Sequence, residues 1–350
     1  MISHTSLALS KPQKGFSLVE LMVGLVIGLI ATLVVMQVMS MFEGRKRTTS
    51  GNADAQSSGS IALYTLQSQI QTAGFGLPVF ISDVSGSDST SALKCDPAKT
   101  TIFNSAGVSM GLFPVEINPG SNDTIILRRS KPRIATAANP NPTQVLSGAN
   151  IGISNLTSVP HSMGCEPDDI VLLSNSDTCD MSRITSIVPN GNAFTFTINP
   201  AVTLRTQLAC LGNWTETTYR INDNNLEERD NNNGIWSIVM SNIVGMKAQY
   251  GISDSITKTQ NISWKNPSDI NISNISSRNT IRAIRIALVA RNAQFEKNDV
   301  TQSEVSSDGK ISTNIGNIDI SSLPEWKKYR YQTFEAVIPL RNIIWSSAGY

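Results

Sequence analysis

The 350-residue sequence predicts an α+β protein, in which a long N-terminal helix serves as a transmembrane stem and then packs on an antiparallel β-sheet head with long loops. Three observations predict it. An uncharged run of 22 residues, Leu21–Phe42, contains no proline and only Thr32, Gln37 and Ser40 as polar members. At about 1.5 Å per residue this run spans roughly 33 Å, the thickness of a bilayer's hydrocarbon core. After it, Ile61, Leu63, Leu66, Ile70 and Ala73 recur near helical spacing, and beyond residue 80 the pattern changes to short β-rich runs broken by turn formers.

Composition narrows the field before any motif is considered. Lys+Arg number 28 against 27 Asp+Glu, a formal charge of +1, so there is no strongly basic surface to imply nucleic acid. With 16% charged and 40% hydrophobic residues the chain is not a disordered polyelectrolyte. The length allows one large or two ordinary domains with a sizeable core.

Residues 1–15, at the start of the chain, read as a leader: they contain Lys11 and Lys14 and no acid. A secretory signal would place a small-residue cleavage site after its apolar run, whereas here Phe42 is followed by Glu-Gly-Arg-Lys-Arg. The hydrophobic helix is therefore expected to be retained, with residues 16–42 as its transmembrane part and 43–76 as its second half. Basic residues on both flanks leave its orientation open. The one-sided apolar pattern to Thr72 predicts a helix lying on a sheet, ended by Gly74 and Gly76 with Pro78 beyond.

Residues 77–350 form the β-rich head. Expected strands are Thr124–Arg129, Asp169–Ser174, Arg183–Val188, Phe194–Ile198, Thr217–Ile221, Met246–Gly251, Ile281–Val289 and Tyr331–Leu340. Ile281–Arg291 is apolar on both alternating faces and so predicts a central strand. Ser82–Ala92, Lys131–Asn150, Ser253–Asn279 and Glu296–Pro324 read as long polar loops. Neither an internal repeat nor a second domain boundary is evident.

At the stem, Lys14-Gly-Phe-Ser-Leu-Val-Glu20 and the apolar run after it resemble the type IV prepilin family. Gly15, Phe16 and Glu20 match that family's motif: a leader ending in glycine, a phenylalanine as first mature residue and a glutamate as fifth. The head adds a resemblance to PilW-type minor pilins at Gln69–Gly76, Ser241–Gly251, Ile281–Arg291 and Tyr331–Asn342.

The resemblance implies a pilin-like architecture and a structural, non-enzymatic protein. It implies cleavage at Gly15–Phe16 by a prepilin peptidase and N-methylation of Phe16. It also implies placement in the bacterial inner membrane with a periplasmic head, then incorporation at or near a pilus tip. Other minor pilins, the major pilin, the assembly platform and a tip adhesin are the implied partners, with roles in adhesion and twitching motility. The alternative within the same superfamily is a J-type pseudopilin of type II secretion; a DNA-binding minor pilin is a further one.

Physical chemistry gives the stem residues roles of their own. Glu20 lies about 6 Å along a helix from Phe16, and an ionisable group at membrane depth is costly unless paired. The free α-amino group of Phe16 on a neighbouring subunit would satisfy it and fix subunit register. Gly24 and Gly28 form a G-x-x-x-G pair that permits close stem packing.

Cys95, Cys165, Cys179 and Cys210 all come after the span, an even number in an oxidising compartment, and predict two disulfides with three pairings open. The resemblance places Cys179 just after a strand. No C-x-x-C spacing occurs, and His161 is the single histidine beyond the leader (His4 lies within it), so neither a metal nor another cofactor is expected.

Gly107-Val-Ser-Met-Gly111 matches the nucleophile-elbow pattern around Ser109. Pro114 and Pro119 discourage the helix that pattern requires, leaving a glycine-rich turn as the expectation. Asp223–Gly234 is rich in oxygen ligands but lacks the calcium-loop spacing, so a hairpin turn is expected. Arg128, Arg129, Lys131 and Arg133 make the best local basic cluster and read as a solvated strand end, with no nucleic acid expected.

Overall fold

A computed structural model of the chain describes residues 15, 17–77, 96–101, 113–131, 145–147, 155–159, 165–174, 178–191, 193–199, 207–230, 234–254, 261–272, 277, 280–300 and 305–342. Two compact units divide it between Gly51 and Asn52.

Helix α1 runs unbroken from Leu18 to Thr72. In the first unit its apolar residues are exposed around the whole circumference. In the second unit the helix is one-sided: Ala55, Ala62, Leu66, Ile70 and Ala73 are buried. Ile61, expected on that face, is instead largely exposed, because Ala62 occupies the angular position facing the sheet. Gly59 is the closest approach, since a Cβ there would overlap the Phe334 ring.

Beyond the helix the described residues contain seventeen strands. The first eight are β1 (Asp96–Thr101), β2 (Val115–Asn118), β3 (Thr124–Lys131), β4 (Val145–Ser147), β5 (Asn155–Val159), β6 (Ile170–Ser174), β7 (Thr178–Asn190) and β8 (Ala193–Asn199). The remainder are β9 (Gln207–Asn222), β10 (Asn225–Asp230), β11 (Trp236–Ser241), β12 (Ile243–Ile252), β13 (Ser263–Lys265), β14 (Ile281–Arg291), β15 (Lys310–Thr313), β16 (Gly316–Asp319) and β17 (Tyr331–Pro339).

An 11-stranded sheet has the main order β11-β10-β9-β6-β7-β8-β5, with β1 on β7, β2 on β3, and β3 and β4 on β9. Its ladders are antiparallel except β1 with β7. A second sheet, β13-β12-β14-β17, is antiparallel, and β15 with β16 forms a separate hairpin.

The central position expected for Ile281–Arg291 holds: β14 lies between β12 and β17. Its two faces go to different cores. Ile284, Ile286 and Leu288 join Leu66, Ile70, Met246 and Tyr250 beneath the helix. Ala287 and Val289 point the other way, into a cluster with Ile311, Ile315, Ile318 and Tyr331. Apolar alternation on both faces thus reflects a sheet covered on both sides.

The expected strands all exist, several longer than their apolar signal. β9, for instance, extends ten residues N-terminal of Thr217, to Gln207. Two loop expectations need correction. Glu296–Pro324 contains the β15–β16 hairpin, whose Ile311 and Ile318 cover β14, and Ser253–Asn279 contains β13 and a 3-10 turn at Pro267–Asp269. Lys131–Asn150 likewise contains β4, while Ser82–Ala92 lies outside the described residues. The Asp223–Asn224 turn joins β9 to β10 with left-handed backbone at both residues, as a tight hairpin requires. The segment after that turn, Asn225–Asp230, is strand rather than loop.

Candidate functional site

The stem surface is the part of the molecule with functional chemistry. Helix formation there arises from an uninterrupted run of Leu, Val, Ile, Met and small residues, and the first backbone bond is donated by Leu21 N to Ser17 O at 3.1 Å. By length and composition the helix can cross a membrane.

Glu20, Gly24, Gly28 and Thr32 recur at every fourth residue and therefore share one helix face. With Leu21, Leu25 and Leu29 they line a shallow groove in which the two glycines leave open space. Thr32 Oγ1 donates to Leu29 O at 2.8 Å, so its hydroxyl is satisfied within its own helix. Glu20 is the acidic residue of the first turn, where unpaired amides favour a negative charge. Among the described residues its carboxylate has no side-chain partner. Gly15 is exposed; Phe16 lies outside the described residues.

The head holds the end of the helix by main-chain and side-chain bonds. Gly74 N donates to Arg128 O at 2.8 Å and Ser130 N to Phe75 O at 2.8 Å. Arg129 Nη1 donates to Gln69 Oε1 at 2.7 Å and to Thr72 Oγ1 at 3.1 Å. Asn342 Nδ2 reaches Ala73 O at 2.9 Å. Gly74 has φ +78°, the left-handed conformation that closes the helix, and its α-carbon faces Pro114 too closely for a side chain.

These contacts overturn the basic-cluster expectation. Arg128 is not on a solvated strand end. It is fully buried, with Nε donating to Glu216 Oε2 at 2.6 Å, Nη2 to Glu116 Oε2 at 2.8 Å and Nη1 to Phe113 O at 3.1 Å. Periodicity places Arg128 in a strand but carries no information about the carboxylates of β2 and β9 opposite it. Lys131 is described only in its backbone, and Arg133 lies outside the described residues.

A second polar core member is Tyr250, whose hydroxyl accepts from Ile117 N at 2.7 Å; burial raises its pKa above the usual phenol range. Asp123 is also buried and accepts from Ala248 N at 2.9 Å and Lys247 Nζ at 3.1 Å. Both serve to join β2 and the turn after it to β12.

Cys165 and Cys210 are bonded, with their α-carbons 6.2 Å apart, inside a core formed with Val171, Leu173, Phe196 and Ile198. Cys179 lies within β7, not after a strand, because that strand begins at Thr178. Cys95, Ser109 with Gly107–Gly111, His4 and His161 lie outside the described residues. Among the described residues no group of three or more His, Cys, Asp or Glu could hold a metal ion.

Comparison with protein families finds two matches. Residues 10–36 match the prokaryotic N-terminal methylation motif, and residues 216–342 match type IV pilus-assembly protein W. A comparison with curated protein sequences returns no match. Among solved structures, a type IV-like pilin from Thermus thermophilus is similar at 10% identity, covering 51% of this chain and 86% of that one, with a TM-score of 0.21. The methylation motif covers Gly15, Phe16, Glu20, Gly24 and Gly28, and the second match covers β10 to β17; together they make this chain a type IV pilus protein of the PilW type.

Proposed function

We propose that this protein is a minor pilin that helps prime type IV pilus assembly and resides at or near the filament tip. The observation that carries the reading is the stem: apolar and exposed all round, with one carboxylate, unpartnered among the described residues, beside a glycine groove. A prepilin peptidase cleaves Gly15–Phe16 and the new Phe16 terminus is N-methylated. A single pass then anchors the protein in the bacterial inner membrane with its head in the periplasm.

The acid at position 20 has an electrostatic task. Leaving a charge in hydrocarbon is costly, so Glu20 stabilises the arrangement in which the Phe16 amino group of a neighbouring stem stands beside it. Gly24 and Gly28 let the two backbones approach, and dispersion contacts along the leucine ridges supply the attraction. The neighbours are other minor pilins and the major pilin, delivered by the assembly platform, with a tip adhesin as a terminal partner. The role is structural, with no catalytic step. In the head, Cys165–Cys210 leaves Cys95 and Cys179 to form the second bridge.

Glu20→Ala tests the mechanism. The variant is expected to remain in the membrane with a normally folded head, to be cleaved, and to be absent from sheared filaments. A substitution at Gly15 that blocks cleavage gives the same absence with the leader retained. Normal piliation and normal incorporation of Glu20→Ala would refute the pairing.

A further inference from the structure

The β10–β11 hairpin at the border of the large sheet has the chemistry of an assembly edge. β11 pairs with β10 along one side, from Asn225↔Ser241 to Arg229↔Trp236. It is the terminal strand of the sheet's main order. In an antiparallel strand alternate residues direct their N–H and C=O groups away from the paired neighbour, so β11 presents a row of unpaired main-chain groups on its outer side.

Proteins ordinarily blunt such edges with charge, proline or very short strands. Both edges of the four-stranded sheet obey that rule. β13 has three residues and ends on Lys265. β17 ends on Pro339, and its Glu335 carboxylate accepts from Asn314 N at 2.9 Å and Asn314 Nδ2 at 2.6 Å, which draws a neighbouring turn against the strand.

β11 lacks these devices. Ile235-Trp-Ser-Ile-Val-Met-Ser241 contains neither a charged residue nor a proline. Ile235 is 71% and Ile238 60% exposed. Trp236 is braced from the strands behind it: the Arg220 guanidinium lies 3.7 Å and that of Arg229 4.7 Å from its ring centroid. Arg220 is in turn fixed by Glu227 at 2.9 Å. The edge is thus rigid at one end, apolar on its surface and open along its backbone.

We propose that β11 docks β11 of a second copy of this chain, antiparallel about a two-fold axis. The strand that fits this edge is extended, uncharged and about six residues long. Among the described edges of this protein β11 itself meets those terms, while β13 brings Lys265 and β17 brings Glu335 and Pro339. Self-pairing sets no charge against another, and each contact made by one copy is repeated by its partner. A six-residue strand gives a contact smaller than the roughly 800 Å² per partner of a stable complex. Pairing is therefore weak in free solution and gains its strength when two stems share one membrane, which raises the effective concentration of the heads.

The test uses the full chain in phosphatidylethanolamine–phosphatidylglycerol vesicles, with Ser237→Cys, Val239→Cys and Ser241→Cys made singly and Asn317→Cys on the exposed β16 hairpin as control. Mild oxidation is expected to give covalent dimers from at least one β11 position and not from the control. Adding Ile238→Lys, at an exposed site, should lower the dimer yield at least tenfold while the thermal unfolding midpoint of the head stays unchanged. Cross-linking at β11 no greater than at Asn317→Cys overturns the proposal. So does a yield that Ile238→Lys leaves unaltered, because the association would then belong to the stems.

Discussion

Leu21, Leu25, Leu29 and Leu33 of the stem and Ile284, Ile286 and Leu288 of β14 are the same kinds of side chain, yet the first group is 54–67% exposed and the second is fully buried. The central strand finds its apolar neighbours within its own chain, beneath α1 on one face and the β15–β16 hairpin on the other. The stem finds none. Each large apolar side chain left in water forgoes roughly 1.5–3 kcal/mol, so that surface implies a solvent other than water: hydrocarbon first, other stems later. The difference separates residues that stabilise the fold from residues that stabilise an assembly, although composition alone makes them look alike.

Charge divides the two regions in the same way, and it yields the largest expected effect. Arg128 is buried with two carboxylates and a carbonyl of its own chain, whereas Glu20 has no side-chain partner among the described residues. Arg128→Met would leave Glu216 nearly dehydrated and unpaired. The expected loss is about 3–5 kcal/mol in denaturant unfolding of the head, the usual consequence of removing one partner of a buried pair. A loss under about 1 kcal/mol would show that the ion pairs do not hold β2, β3 and β9 together.

Matched leucines sharpen the contrast. Leu288→Ala is expected to destabilise the head by roughly 2–5 kcal/mol, through lost transfer energy and the cavity left between sheet and helix. Leu33→Ala removes the same atoms and should leave head unfolding within about 0.5 kcal/mol of the parent chain. Its effect belongs to filament yield. Equal losses from the two substitutions would mean that the stem leucine contributes to head stability after all.

Some of this is legible in the sequence, and the boundary is physical. A stem announces itself because an uncharged helical run long enough for a bilayer is rare, and Gly15, Phe16 and Glu20 stand in fixed order at its start. Ile281–Arg291 announces a central strand because both faces are apolar. The β15–β16 hairpin does not, since each strand has four residues and a single buried isoleucine, too short a run for alternation to register. The burial of Arg128 is also invisible. Its partners Glu116 and Glu216 lie 12 and 88 residues away, and only strand pairing brings them together. The openness of β11 cannot be read either, because an edge is a property of the sheet, not of a strand's own sequence.

The smallest expected effect concerns the hairpin that covers β14. Asp308, just before β15, has its pKa lowered to about 2, first by the hydrogen bond from Lys310 and then by that from Ser306. Lys310 Nζ lies 2.6 Å from the carboxylate and its own pKa is raised by it, while Asp319 across the ladder is lowered by its bonds to Ser321. The depressed value sets the sign. An aspartate that ionises more readily when folded stabilises the folded form above its unfolded pKa, near 4, and that contribution is lost as the pH falls toward 2. Because Asp308 is fully exposed, water and salt screen the pair, so the head should not unfold globally over this range. The expected outcome is local: protection of the Ile311 and Ile318 amides against hydrogen exchange, taken relative to Asp308→Asn at each pH, declines between pH 4 and 2 and does so less in high salt. If the parent chain and Asp308→Asn lose protection in parallel, the carboxylate does not fasten the hairpin. The cover over β14 would then rest on Ile311 and Ile318 alone, and the burial that distinguishes β14 from the stem would be entirely apolar in origin.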